Sequence, residues 1–173
     1  MCKKRMIIVR GLPGSGKSSI AVGLGVFADN VCAIDDYWFR PDGTYDFNYD
    51  HVLKSYEWNQ HRVARIMVDI DQRSEQLDGA EGGLCKTTIV IDNVNITFDE
   101  ILPYARLAQM YHYSIELMEP QTEWRYDVET CYKNNAHNVP YSTVLRMSRE
   151  WEPTADIVKR LIRCGFNVLK NEE

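Results

Sequence analysis

The chain has 173 residues, a formal net charge of −5 and 45% hydrophobic residues, a composition typical of a globular protein. We expect one domain over residues 1–173 with one active site, because this length buries a single core and leaves no room for a second enzyme module. No apolar run approaches the roughly 18 residues of a membrane span, and the short apolar run behind the basic N-terminus does not fit a signal peptide. The five cysteines are widely spread without metal-ligand spacing, which indicates reduced thiols and a cytoplasmic or nuclear protein with no membrane partner.

A glycine-rich loop, residues 11–18, directly follows the first predicted strand, Met6 to Arg10. Its sequence matches the phosphate-binding pattern G-x-x-x-x-G-K-[ST] at every fixed position. Glycines let the backbone approach a triphosphate closely, and N–H groups at the start of the next helix, predicted from Lys17 to about Phe27, attract its charge. Lys17 is expected to neutralise the β- and γ-phosphates, and Ser18 to bind Mg²⁺. We therefore predict that ATP and Mg²⁺ bind here, through Gly11, Pro13, Gly14, Ser15, Gly16, Lys17, Ser18 and Ser19.

Strand and helix patterns alternate after this loop. The predicted elements are strand Val31 to Ile34, a long helix from about Tyr49 to Asp71, a surface loop at Asp78 to Gly83, strand Thr87 to Ile91, a helix that begins at the capping box of Thr97 and Glu100 and reaches about Met110, and strand Tyr113 to Met118. This alternation predicts an α/β fold of three layers, a P-loop kinase fold in which helices flank a parallel sheet. Ligands bind such sheets at the carboxyl ends of the strands, and Gly11, Asp35 and Asp92 each lie just after a predicted strand.

Two acidic positions are candidates for chemistry at that edge. Asp35 lies where a phosphoryl acceptor is expected, so it is our candidate general base. Its neighbour Asp36 is predicted to orient the acceptor loop or to cap the following turn. Asp92 is predicted to hold Mg²⁺ together with the loop serine. The amides of Asn93 and Asn95 follow, and each is expected either to contact substrate or to satisfy the turn.

Aromatic residues are concentrated beside Asp35. Eight of the nineteen lie within residues 37–58. Most of these rings are expected in the core, but Trp38 or Phe39 is predicted to form a wall on which an acceptor base or sugar stacks. In the long helix, the polar pair at residues 59–60 interrupts the apolar stripe, so this part faces either a cleft or solvent.

The segment beyond Pro120 is predicted to be helical, over about Thr122 to Asn134 and Tyr141 to Glu150, with a polar connection between the two helices. Two helices joined by a polar elbow above a phosphate site can act as a lid. The alternative is a packed helical pair. We refer to residues 122–150 as the lid segment.

Seven stretches of the sequence carry a resemblance to a known family: G-L-P-G-S-G-K-S, I-D-D-Y-W-F-R-P-D-G-T-Y-D-F-N, Y-E-W-N-Q-H-R, I-V-I-D-N-V-N, E-P-Q-T-E-W-R, H-N-V-P and L-R-M. They cover most of residues 6–151, and the chain resembles the P-loop polynucleotide 5′-kinases of phage and the related kinase domains of animal Nedd-binding proteins. The resemblance implies ATP-dependent transfer of the γ-phosphate to a 5′-hydroxyl of DNA or RNA. It also implies that Asp35 is the base, that Lys17 and Ser18 lie at the phosphates and metal, and that a helical lid closes the site.

Two positions depart from the family pattern. The phage enzymes carry an arginine three residues after the first aspartate, where this chain has Trp38, and the nearest basic residue is Arg40. The family's lid carries arginines ahead of its N-x-H-G-V stretch, where this chain has Lys133. Lys133 can supply charge to the transferring phosphoryl group but not a planar guanidinium. Other candidates for these contacts with acceptor or phosphoryl group are Arg125, Arg146 and Arg149.

Negative charge is concentrated beside the predicted acceptor site. Residues 29–50 contain six aspartates and one arginine, a local net charge of −5. A nucleic acid is therefore expected to be contacted near its 5′ end, over few phosphates. The same acidic and aromatic segment suits a small neutral acceptor. The alternatives are thus a kinase of a nucleoside, sugar or antibiotic, and a nucleotide-binding switch without an acceptor.

Overall fold

Four parallel strands lie at the centre of the computed structural model, which describes residues 4–76 and 87–169. In the spatial order β2-β3-β1-β4, the strands are β1 (Arg5–Val9), β2 (Val31–Cys32), β3 (Thr88–Asp92) and β4 (Ser114–Met118). The two interior strands, β1 and β3, consist mainly of apolar residues. Nearly all of their residues are buried, as expected for a sheet that is covered on both faces. Val9 lies beside Asp92 on one side and Met118 on the other, so three strand ends meet where the glycine loop begins.

Helices cover both faces of this sheet. They are α1 (Lys17–Gly23), α2 (Val52–Gln76), α3 (Phe98–Met110), α4 (Val128–Asn134), α5 (Tyr141–Arg149) and α6 (Thr154–Arg163). Met6 and Ile8 of β1 lie in the larger core with residues of α2, α3 and α6. Ile7 and Val9, which point the opposite way, pack against α1. The predicted three-layer α/β fold with a flanked parallel sheet is confirmed.

Two predicted elements near the glycine loop are shorter than expected. The first helix was predicted to reach Phe27 but ends at Gly23, because Gly25, with a φ of 60°, turns the chain and donates its N–H to Val22. The second strand was predicted to reach Ile34 but ends two residues earlier. The N–H of Ile34 instead donates to the side chain of Asn93 at 2.8 Å, and a 3-10 turn (Ile34–Trp38) begins.

Two helices begin later than predicted. A 3-10 turn (Tyr49–His51) precedes α2, which therefore starts at Val52 and extends beyond the predicted end at Asp71 to Gln76. The helix predicted from Thr122 starts only at Val128, where Asp127 caps it. The capping box of α3 is present, since Thr97 accepts the N–H of Glu100.

Helix α6 was not predicted from the sequence. Its buried residues Ile157 and Leu161, four positions apart, are the periodic signal that identifies it. The chain then returns to the sheet, where Val168 forms a parallel bridge with Ile115 of β4. The surface loop predicted at Asp78 to Gly83 lies outside the described residues.

Three cysteines of the described part are free thiols, with Cys32 and Cys131 buried and Cys164 exposed. None of the helices within residues 4–76 and 87–169 is long and apolar enough to cross a membrane.

Candidate active site

The glycine loop turns sharply at the carboxyl end of β1. Gly14 and Gly16 adopt left-handed backbone angles, with φ of 77° and 101°, which other residues resist. The N–H of Ser15 donates to the carbonyl of Leu12 at 3.1 Å, and the buried Leu12 side chain anchors the turn. Among the described residues no side chain caps the start of α1. Its first N–H groups are therefore available to an anion, as the predicted phosphate site requires.

Lys17 is held over this loop, where its ammonium donates to the carbonyl of Leu12 at 2.9 Å. Burial lowers its pKa, while the negative charges of Asp92 and Asp35 act in the opposite direction. The ammonium therefore lies in the field of both candidate catalytic carboxylates.

Asp92 ends β3 beside the loop, and Ser18 at the start of α1 hydrogen-bonds its carboxylate. Burial raises the pKa of Asp92 although Lys17 opposes the shift. Within the described part of the chain, the buried Oδ1 atom of Asp92 has no hydrogen-bond partner. A hydroxyl and an unpaired carboxylate oxygen are hard oxygen donors that fit Mg²⁺, so Ser18 and Asp92 are the residues that would hold the ion.

Asp35 lies in the 3-10 turn after β2, and its carboxylate has two neighbours, one 10 positions later and one far away in the sequence. The hydroxyl of Tyr45 donates to Oδ1 at 3.0 Å, and Nε2 of His137 lies 3.7 Å from Oδ2. Burial, reinforced by Asp35, raises the pKa of Tyr45, so its hydroxyl remains a proton donor. Neither Tyr45 nor His137 was singled out from the sequence. The available signals were that both lie in stretches shared with the resembled family and that Tyr45 is one of the aromatic residues within residues 37–58.

A buried amide network fixes the turn that carries Asp35. Asn93 accepts the N–H of Ile34 and donates to the hydroxyl of Tyr104 at 3.1 Å. Asn59 of α2 donates to the same hydroxyl at 2.9 Å. Asn59 is fully buried, so it faces neither the cleft nor solvent. Through the hydroxyl of Tyr104 it links α2 to α3 and to Asn93, which follows β3. Asn93 therefore satisfies the turn, and since it also lines the cavity beside the glycine loop, its contact with substrate stays a prediction.

A cavity of about 1690 Å³ extends from the glycine loop past Asp35 to the start of α2 and to α5. The predicted site residues that line it are Pro13, Gly14, Gly16, Lys17, Ser18, Ser19, Asp35, Asp36, Trp38, Asp92 and Arg146. Trp38 is 4% exposed and contributes little accessible ring surface, whereas Phe39, at 49%, presents its ring at the cavity. The carboxylate of Asp36 forms an ion pair with Arg62 of α2.

Seven predicted contact residues lie outside the cavity lining: Gly11, Ser15, Arg40, Asn95, Arg125, Lys133 and Arg149. Arg40 pairs with Asp46 on the exposed hairpin that follows the Asp35 turn. The amide of Asn95 is buried and donates to the carbonyl of Val9 at 2.7 Å. Arg125 donates to the carbonyl of Thr122, and Lys133 lies exposed in the last turn of α4.

The lid segment contacts the glycine loop directly. A Cβ on Gly14 would overlap the carbonyl oxygen of Cys131 in α4. Thr122 donates its hydroxyl to the carbonyl of Ser15 at 2.8 Å, and the indole of Trp124 donates to the carbonyl of Gly14 at 3.3 Å. The lid segment therefore helps to define the shape of the phosphate site.

Arg10, the residue between β1 and the glycine loop, is fully buried and connects the loop to the C-terminal part of the chain. Its guanidinium donates to the carbonyls of Asn95, Ile96 and Glu152 at 2.8–3.0 Å. It also lies 4.2 Å from the ring centroid of Trp151. Burial lowers its pKa, and Glu119, 3.7 Å away, opposes the shift.

Two curated proteins are similar to this chain in sequence. The human NEDD4-binding protein 2 is 30% identical over 151 residues, which are 85% of this chain and 8% of that protein. The mouse 2′,3′-cyclic-nucleotide 3′-phosphodiesterase is 26% identical over 164 residues, 91% of this chain and 30% of the enzyme. This chain thus spans less than a third of either curated relative. No family model matches it.

Among solved structures, AvrRxo1-ORF1:-ORF2 crystallised with ATP aligns over 94% of this chain and 52% of that chain, with a TM-score of 0.51 and 14% sequence identity. This likeness concerns the fold. The chain has a P-loop kinase-like fold. By the sequence match, it is related to regions of NEDD4-binding protein 2 and of the cyclic-nucleotide phosphodiesterase.

Proposed function

We propose that the protein is an ATP-dependent polynucleotide kinase that transfers the γ-phosphate of ATP to the 5′-hydroxyl end of DNA or RNA. One observation carries the proposal: a single cavity is lined by Lys17, by Ser18 and Asp92, and by Asp35. These residues match the needs of phosphoryl transfer, namely a cation at the phosphates, a metal site and a base for the acceptor hydroxyl.

In the proposed reaction, Asp35 takes the proton of the acceptor hydroxyl. The acceptor oxygen forms a bond to the γ-phosphorus, the bond to the β–γ bridging oxygen breaks, and ADP leaves. Lys17 stabilises the charge that collects on the phosphate oxygens. Mg²⁺, held by Ser18 and Asp92, would supply further positive charge there.

The acceptor end of the cavity supports an end-on mode of nucleic-acid binding. Its rings include the half-exposed Phe39 and Phe47 and the exposed Tyr49, on which a base or sugar can stack. Arg146 of α5 is the predicted arginine that lines this space, where it pairs with Glu150 at 2.6 Å. We expect Arg146 to exchange this partner for the first phosphate of the acceptor strand.

The test is transfer of labelled γ-phosphate from ATP, with Mg²⁺, to a 5′-hydroxyl oligonucleotide. A 5′-phosphorylated oligonucleotide, nucleosides and sugars serve as parallel acceptors. Label is expected on the 5′-hydroxyl oligonucleotide alone, and Asp35→Asn should lower turnover by about 10² while ATP still binds. Asp29→Asn removes a charge from the same acidic segment at an exposed position and should retain activity.

A kinase of a small hydroxyl compound is the second candidate, favoured by the carboxylates of Asp35, Asp36 and Glu100 around the acceptor space. Label on a nucleoside or sugar but not on the oligonucleotide would establish it and contradict our proposal. Bound ATP with no labelled acceptor would indicate a nucleotide-binding switch.

A further inference from the structure

Asp35 is the meeting point of two segments that are far apart in the sequence. Tyr45 lies on the hairpin that follows the Asp35 turn, and His137 lies on the connection between α4 and α5. The rings of Tyr45 and His137 stack, with centroids 5.0 Å apart and planes inclined by 28°. Both side chains reach the carboxylate of Asp35, one at each oxygen.

The hairpin holds Tyr45 in place from the other side. Phe39 and Tyr45 form an antiparallel bridge, and their rings contact edge to face at 5.3 Å. The N–H of Arg40 donates to the carbonyl of Thr44 at 2.9 Å, which closes the hairpin. Tyr45 is therefore a fixed donor at Oδ1, while Oδ2 is the oxygen next to His137.

The connection that carries His137 also has a defined shape. The side chain of Asn135 accepts the N–H of Val139 at 2.7 Å and donates to the carbonyl of Tyr132 at 2.6 Å, which closes the loop on itself. Asn138 adopts a left-handed φ of 53°, which completes the turn. The same segment touches the glycine loop, because a Cβ on Gly14 would lie 2.8 Å from the N atom of Asn135.

We infer that His137 is a positioning residue for the base: by stacking on Tyr45 and pairing with Asp35, it aligns the carboxylate only while the lid segment rests on the glycine loop. This inference rests on the proposed function of Asp35. The ammonium of Lys17, the carboxylate of Asp92 and the Asp36–Arg62 pair are other charged groups around the turn, and none of them is on the lid segment. His137 is thus the contact through which the lid segment acts on the base.

Three substitutions separate the two contributions of the imidazole. His137→Gln keeps an N–H donor, His137→Phe keeps a stacking ring, and His137→Ala keeps neither. We expect kcat for phosphate transfer to fall about fivefold in the alanine variant, the upper size expected for loss of a partly exposed polar contact, with KM for ATP changed less than twofold. The phenylalanine and glutamine variants should each lose less, because each keeps one of the two contacts. In an Asp35→Asn background, His137→Ala should lower kcat no further, since the group that it aligns is gone.

Hydrogen exchange tests the same contact without any acceptor. Asp35→Ala should increase amide exchange in residues 135–139 severalfold, whereas Asp29→Ala, on the same acidic segment, should leave it unchanged. If no oligonucleotide is labelled but this exchange coupling is present, the proposed function fails and the contact remains. If wild type labels the oligonucleotide but His137→Ala matches its kcat and Asp35→Ala leaves exchange unchanged, the inference alone is overturned.

Discussion

At the level of single residues, Gly14 joins the phosphate site to the lid segment. Its φ of 77° and its contact with the carbonyl of Cys131 both exclude a side chain. We expect Gly14→Ala to lower the free energy of unfolding by about 1–2 kcal/mol for the backbone angle and by about 1–3 kcal/mol more for the displacement of α4. ATP binding should weaken as well. Urea unfolding and nucleotide titration measure the two effects.

The matched control for this change is Gly165→Ala. Gly165 has a similar φ of 83°, and a Cβ there would meet no atom within 4 Å. Gly165→Ala should therefore lower the free energy of unfolding only by the backbone cost of about 1–2 kcal/mol and should bind ATP normally. Equal losses of stability in the two variants would show that the contact with α4 contributes nothing.

Glu100 provides a prediction about pH. It accepts the N–H of Ile96 at 2.7 Å, but burial raises its pKa above the value in the unfolded chain. The ionised carboxylate therefore costs stability at every pH above its unfolded pKa of about 4, and the cost disappears as the pH falls to that value. Glu100→Gln keeps an oxygen for Ile96, so we expect it to be more stable than wild type at pH 7, by a margin that shrinks toward pH 4 in urea unfolding.

The neighbouring Asp99 is the control for this prediction. It is exposed in the first turn of α3, where a negative charge favours the helix dipole. Asp99→Asn should therefore be no more stable than wild type at pH 7. The burial argument would be wrong if the stability of Glu100→Gln, relative to wild type, were lower at pH 7 than at pH 4.

At the level of elements, the lid segment carries its own reporter of nucleotide binding. Trp124 lines the cavity, and its indole donates to the carbonyl of Gly14. ATP at the glycine loop should change its surroundings, so we expect Trp124→Phe to remove at least half of the ATP-dependent change in tryptophan fluorescence. Trp58, equally exposed at 37% against 38% but absent from the cavity lining, is the control, and Trp58→Phe should retain the change.

The sequence predicted the type of most elements but not all of their limits. Apolar runs and the capping box of Thr97 and Glu100 are local signals, and the strands and α3 follow them closely. The end of the second strand was misplaced because the N–H of Ile34 bonds to Asn93, a residue 59 positions away. A tertiary hydrogen bond of this kind leaves no periodic pattern in the sequence. Helix α6, in contrast, had a visible apolar period and was overlooked.

At the level of the whole molecule, charge sets the expected mode of nucleic-acid binding. The acidic segment 29–50 borders the acceptor space, and two of its aspartates already have cationic partners in Arg40 and Arg62. We expect affinity for a single-stranded oligonucleotide to fall gently with salt, with a log–log slope equivalent to two or three neutralised phosphates. Fluorescence anisotropy across a salt series measures it. A slope equivalent to five or more phosphates would indicate a long basic track and contradict end-on binding.

The candidate site divides into a part that the sequence predicted and a part that only the fold reveals. Lys17, Asp35 and Asp92 follow strands of one parallel sheet, so their proximity follows from topology. Their placement on one cavity agrees with that argument. The partners of Asp35 come from a hairpin and from a loop 102 positions away, and side-chain contacts over such separations need coordinates. For the same reason, the interior position of Asn95 was not foreseen.

The three free thiols of the described part should react with a thiol reagent at rates that report how each region of the protein opens. Cys164 is exposed, Cys131 of α4 is buried in a cluster with Leu12 of the glycine loop, and Cys32 lies in the core with its pKa raised to about 12 by burial. A thiol reagent should therefore modify Cys164 at once, Cys131 at the rate at which the lid segment lifts, and Cys32 only when the sheet itself comes apart. One labelling experiment on the wild-type protein, analysed peptide by peptide, would therefore give the opening rates of the surface, the lid segment and the core.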